Sequence, residues 1–199
     1  MILIDQVLLV LKERLEAALQ AAQAQSESWI ELGNALEPDG APAAGVQDRI
    51  VMTLVSLQAD GTTGLFAATS PGGGRDMFPT VAPPLYVDAY VMFAPNFTRR
   101  NYGTGIAMMS RIIGWFQETP VLTRDLAPEL PAALDRLAMD FTNLDFAQQN
   151  HLVTLTGMKG LPVVLYRLRR LPFESGAASR FDPPVRGVSG RGRPGAQAN

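Results

Sequence analysis

The sequence contains no cysteine and a single histidine, His151. The first absence excludes disulfide frameworks, thiolate metal sites and cysteine nucleophiles. The second excludes two-histidine zinc motifs and clustered imidazoles within one chain. Lysine is scarce as well: Lys12 and Lys159 stand against 15 arginines. Neither lysine lies in a GxxxxGK[ST] loop, which rules out a Walker-type phosphate site. No run of eighteen apolar residues occurs, so no transmembrane helix is expected. The apolar start Met1–Val10 is interrupted by Asp5 and followed by Lys12, Glu13 and Arg14. A secretory signal carries its positive charge first. The expectation is a cytoplasmic protein.

The 199 residues are 47% hydrophobic and 18% charged, enough to bury the core of one domain. The net charge of -2 is unevenly placed. Residues 176–199 hold four arginines and one aspartate, whereas residues 1–175 hold 13 basic and 18 acidic side chains. An acidic body therefore carries a basic tail. The arginine excess, alongside heavy Ala, Gly and Pro usage, is also what a GC-rich genome produces.

Ile4, Val7, Leu8, Leu11, Leu15, Ala18 and Leu19 recur at three- and four-residue steps, the stripe of an amphipathic helix reaching about Gln23. Ser26–Asn34 reads as a short strand closed by Gly-Asn. Arg49–Gln58 is rich in β-branched residues and apolar on both faces, as a central strand is. Asp60–Pro84, with PGGGR at Pro71–Arg75, is a 25-residue loop, and loops of that length are usually functional or mobile. Leu85–Phe93 is the next strand, with Leu85, Val87, Ala89, Val91 and Phe93 on one face and Tyr86, Asp88, Tyr90 and Met92 on the other.

Tyr102, Ile106, Met109, Ile113 and Phe116 mark a second helix over about Thr98–Glu118. Gly103, Gly105 and Gly114 each weaken it by about 1 kcal/mol against alanine. Leu134–Phe141 alternates as a strand, with Leu137, Met139 and Phe141 inward. Asp145 and Gln148 form a capping box that opens a third helix, with Gly157 just past its end. Leu161–Leu171 is the last strand, and Pro162 sits at its beginning. The order and the hairpin-friendly spacing describe an α+β domain over residues 1–173, a mainly antiparallel sheet with helices packed on one face. Residues 174–199, rich in Gly, Ala, Ser, Pro and Arg, form an extended C-terminal arm.

A search for chemistry finds no constellation. His151 has no Ser, Asp or Glu spaced to orient it, and no GxSxG elbow exists. PGGGR does not connect a strand to a helix as a phosphate-cradling loop does, and a flexible loop tip is the preferred reading. Asp88 is read as lying on an exposed strand face rather than as a buried carboxylate with the Tyr86 and Tyr90 hydroxyls. Asp135, Asp140 and Asp145 do not converge at metal-ligand spacing. The arginines of the tail suit nucleic acid, solvent or an acidic protein surface. No catalytic, metal or cofactor residue is assigned.

Three stretches are more specific. PPLYVDAYVMFAPNF at Pro83–Phe97 runs into NYGTGIAMMSRIIGWFQETPVLT at Asn101–Thr123, and LDFAQQNHLVTLTGMKGLPVVLYRLRRL fills Leu144–Leu171. Over residues 1–173 the chain resembles the cap, or tube-terminator, family of contractile injection systems, which are phage-tail-like particles. The turn after the first strand is matched by Glu31–Leu36 and the following strands by Arg49–Gln58 and Leu85–Ala94. The family's C-terminal phrase is matched by Leu144, Phe146, Gln149, Asn150, His151, Leu152, Leu155, Gly157, Lys159, Leu161, Pro162, Leu165, Tyr166 and Arg169. Val153 stands where that phrase has Trp, Val163 where it has Ser, and the turn Thr156–Gly160 differs.

The resemblance implies a tail-terminator-like fold and a structural protein without active site, cofactor, small-molecule substrate or need of a membrane. It implies six copies in a ring, seated on the last layer of the inner tube and joined to the sheath. The partners are then the chain itself, the inner-tube protein and the sheath protein, brought together in the cytoplasm as part of the particle. On this reading Pro71, Gly72, Gly73, Gly74 and Arg75 are candidates to face the tube. Phe173, Arg180, Phe181, Val185, Arg186, Val188, Arg191 and Arg193 are candidates to bind the sheath. Three alternatives stay open: a connector or tail-completion subunit of a related particle, a nucleic-acid-binding accessory protein led by the tail, and a hydrolase using His151. The acidic body speaks against the second.

Overall fold

The first helix forms where the three- and four-residue apolar spacing places it. α1 spans Ile4–Ala22 and buries Val7, Leu8, Val10, Leu11, Leu15 and Leu19 in one stripe. The carboxylate of Glu16, on α1, accepts hydrogen bonds from the Ser28 hydroxyl at 3.1 Å and from the N–H groups of Trp29 and Ile30 at 2.6 and 3.0 Å. It thereby fixes the start of β1, Ile30–Leu32, against the helix. The computed structural model describes residues 3–22, 28–61, 68–69, 78–81, 84–158, 162–173 and 178–182.

The chain divides into two compact units: Met1–Gly64 with Pro84–Glu174, and Leu65–Pro83 with Ser175–Asn199. The first is built on a six-stranded sheet, ordered β1-β2-β5-β8-β7-β6. β2 is Arg49–Ala59, β5 Leu85–Asn96, β6 Val121–Thr123, β7 Arg136–Thr142 and β8 Val164–Phe173. Every pairing is antiparallel except β1 with β2. β8 enters between β5 and β7. The second unit holds a three-stranded antiparallel sheet, β3-β4-β9, formed by Ala68–Thr69, Phe78–Val81 and Ala178–Asp182. The sequence reading treats 60–84 as loop and 174–199 as arm; within them these three short strands pair.

Strand alternation divides the apolar residues of the six-stranded sheet between two cores. Ile50, Met52, Ala89, Val91, Phe93, Val164, Tyr166 and Leu168 meet α1 and α2, Tyr102–Glu118, on one face. Val51, Met92, Ala94 and Leu165 face the other way, toward Val46, Met158 and the inner side of α3, Phe146–Thr156. The α+β architecture and the mainly antiparallel sheet are as expected. The placement of all helices on one face is corrected: α1 and α2 share a face, and α3 covers part of the opposite one.

Three expected core positions also move. α2 buries Gly105, Met108, Met109, Ile112 and Phe116, while Tyr102 and Ile113 are 51% and 39% exposed. Ile106/Met109/Ile113 and Gly105/Met108/Ile112 are adjacent apolar stripes, and helical periodicity alone does not choose between them. Gly105 decides it: a Cβ there would stand 2.6 Å from Cδ2 of Phe97, so a residue without a side chain lets that ring lie against the helix. On β7, Leu137 and Met139 are buried but Phe141 is 50% exposed. It lies edge-on to Tyr166, with centroids 5.4 Å apart, beside an open groove that Ile113 and Pro120 also line.

Candidate assembly surfaces

The segment from Leu144 to Arg169 is built by local rules that the sequence already displays. Asp145 accepts from the Gln148 N–H at 2.8 Å, and the Gln148 side chain accepts from the Asp145 N–H at 3.0 Å, completing the capping box of α3. Gly157 ends the helix with φ at 65°. A Cβ on it would fall 2.1 Å from Cδ1 of Leu36, so both the left-handed backbone and the contact with Leu36 call for glycine.

The motif residues then separate by burial. Leu144 and Leu152 pack against the second core. Tyr166 is buried in the first core, where it stacks on Phe116 at 3.7 Å with the rings 18° apart. Burial pushes its hydroxyl pKa up to about 12. Phe146, Asn150, Pro162 and Arg169 are exposed, and Arg169 pairs with Asp140 at 3.3 Å.

Phe146 is 90% exposed at one end of α3 and Leu155 is 82% exposed at the other. Nine residues of helix set them on opposite sides of its axis. Between the C-terminal part of α3, β2 and the 34–40 loop lies an open groove of about 600 Å³, lined in part by Leu36, Pro38, Leu54, Val55, Leu152 and Leu155. The aromatic groove beside Phe141 measures about 510 Å³. Large side chains held this far into water, Leu155 and Phe141 of them beside open grooves, suit contact with other macromolecules.

Asp88 corrects the sequence reading. It is 2% exposed, and its partners are not tyrosines. Arg167 grips one carboxylate oxygen through Nε, at 2.9 Å, and Nη2, while the Arg170 N–H donates to the other at 2.9 Å. The bonds to Asp88 raise the Arg167 pKa further above its ordinary value. Arg170 reaches Asp60 at 3.5 Å and lies 4.7 Å over the Tyr86 ring. Arg167 and Arg170 carry no motif of their own. A lone acid at the centre of a strand otherwise apolar on both faces is the signal that a paired buried charge lies there.

Of the residues expected to meet partners, Phe173 ends β8 opposite Leu85 and packs against the first core. Arg180 and Phe181 lie in β9, opposite Thr80 and Pro79 of β4. Pro71, Gly72, Gly73, Gly74, Arg75, Val185, Arg186, Val188, Arg191 and Arg193 lie outside the described residues. So do Lys159 and Leu161 of the motif. His151 is exposed on α3, in a shallow groove with Tyr90, Thr142 and Gln148. Among the described residues no group of three or more His, Asp or Glu side chains is placed to hold a metal ion, and no helix is long and apolar enough to cross a membrane.

The fold is similar to that of the PVC sheath/tube terminator of an extracellular contractile injection system, in its extended state, with a TM-score of 0.58 at 13% identity over 96% of this chain. It is also similar to the anti-feeding prophage cap, the AFP tube terminating cap, with a TM-score of 0.55 at 11% identity over 95% of this chain. The chain spans 65% and 61% of the lengths of those two proteins. No protein of curated function matches its sequence. The Pvc16 N-terminal domain family matches residues 6–187, which takes in most of α1, the whole six-stranded sheet and β9. The chain belongs to that family.

Proposed function

We propose that this protein is a cap: a structural subunit that terminates the inner tube and sheath of a contractile injection particle and joins the two at the end far from the baseplate. One observation carries the reading. The likeness to a sheath/tube terminator and to a tube terminating cap runs through 96% and 95% of the chain, and the family match continues through β9 to residue 187. The work is contact rather than catalysis, and the exposed Phe146, Leu155 and Phe141 are the kind of side chains such contact uses.

The chain assembles in the cytoplasm as a ring of six copies, using a head-to-tail interface that closes on itself. The 60–84 segment, with Pro71–Arg75 at its centre, meets the tube. Residues 173–199 meet the sheath, where four arginines against one aspartate in 176–199 favour an acidic partner surface. Main-chain pairing of an extended segment supplies the register of such a joint.

Deletion of residues 174–199 tests the division of labour. The six-stranded sheet contains none of those residues, so the truncated chain should fold while particles lose their sheath. Sheathed particles of normal appearance from that deletion would refute the assignment of the arm.

A further inference from the structure

Strands β2, β5 and β8 come together at one end of the six-stranded sheet, where Ala59 lies opposite Val87 and Leu85 opposite Phe173. After β2 and after β8 the chain leaves the first unit, and just before β5 it returns. The last residues of β2 and β8 and the first of β5 therefore share one sheet end, and Asp88 is buried close to it.

Arg169 and Arg170 together face Asp88 alone, between the pairs Val87–Leu171 and Ala89–Leu168. That is a β-bulge, with one extra residue on β8. Arg170 takes φ at 55°, a region that non-glycine residues rarely adopt. The bulge changes which side chains point inward. Val164, Tyr166 and Leu168 alternate into the first core, and plain alternation would then turn Leu171 to the opposite face. Instead Leu171 is fully buried with them, and both Arg169 and Arg170 are exposed.

The Asp88 carboxylate is buried while the Arg167 side chain stays 35% exposed, and such a pair is a weak source of net stability because solvent screens it on one side and desolvation costs it on the other. It is a strong source of specificity where one pairing alone satisfies it. We infer that Asp88 is a register lock: it selects the bulged pairing of β8 and so fixes which face each of its last residues, up to Phe173, presents. The carboxylate accepts the Arg170 N–H, which plain pairing would not aim at it. Arg167 neutralises and orients that carboxylate. Arg170, across Asp60 and Tyr86, ties the bulge to the end of β2 and to β5. The inference concerns the sheet itself and stands whether or not the protein caps a particle.

Amide hydrogen exchange on the full-length chain tests it. The double variant Asp88→Leu/Arg167→Met removes both charges and leaves no stranded guanidinium, so it folds even where Asp88→Leu alone does not. Its global unfolding midpoint should match or exceed the parent's. The Arg170 amide should exchange about tenfold faster or more, the loss expected for a bond to a charged acceptor. Protection should fall with it at Leu168–Phe173, while α1 and the β1–β2 pair keep theirs. Arg170→Gly accepts the same φ and should retain protection at Leu168 and Leu171. Unchanged protection over Leu168–Phe173 in the double variant would overturn the proposal. So would a loss spread evenly over all strands, which would make Asp88 an ordinary contributor to stability.

Discussion

Gly157→Ala should destabilise the protein by about 2–4 kcal/mol. Two costs combine. The left-handed conformation, at φ 65°, costs a residue with a Cβ ~1–2 kcal/mol. The new methyl would also sit 2.1 Å from Cδ1 and 3.1 Å from Cγ of Leu36, forcing that side chain off its site at ~1–3 kcal/mol. Lower entropy of the unfolded chain offsets roughly 0.4–1 kcal/mol of this. The two costs separate in a double-mutant cycle. In a Leu36→Ala background the clash is gone, and Gly157→Ala should then cost only about 1 kcal/mol net of that offset. Urea unfolding of the four proteins, followed by far-UV circular dichroism, supplies the free energies. If Gly157→Ala falls within ~0.5 kcal/mol of the parent, the range of ordinary surface substitutions, the reasoning fails. It fails equally if the cost is the same with and without Leu36, because the glycine would then answer to backbone conformation alone.

Asp145→Ala removes one half of the α3 capping box and should cost about 1 kcal/mol in the same assay, with Asp145→Asn closer to the parent. Tyr166 has its pKa raised from 10 to about 12, so the folded state holds that proton more tightly than the unfolded state. Its contribution to stability is complete below about pH 10 and declines as pH rises toward about 12, and unfolding midpoints of Tyr166→Phe should lack this alkaline decline. Asp48 has its pKa lowered, chiefly by the Thr98 N–H at 2.7 Å, so its contribution is present above the ordinary carboxylate range and lost as pH falls through it. Asp48→Asn should flatten that part of the acid unfolding curve. Phe146→Ser, at a side chain 90% exposed, should leave the unfolding midpoint unchanged while lowering the assembled mass measured by light scattering.

The elements with strong local signals were legible. Asp145, Gln148 and Gly157 bound α3 by capping chemistry that acts within a few residues, and the structure reproduces each contact. The strand faces of Leu85–Phe93 follow from alternation and appear as two cores. Choices that depend on a distant partner were not legible. Which of two apolar stripes α2 buries was decided by Phe97 against Gly105, and whether Phe141 is covered depends on how far α2 reaches across β7. Asp88 was misread because its partners lie 79 and 82 residues away on β8. In the second unit β4 pairs with β9 about a hundred positions away, Phe78 with Asp182 for instance, and no local pattern announces such a pairing.

Termination is tested most directly by electron microscopy of particles from a strain lacking this chain. The account predicts tubes and sheaths of uncontrolled length, or tubes stripped of their sheath, with normal length and sheathing restored when the chain is supplied. Particles of normal length that keep their sheath in its absence would contradict it.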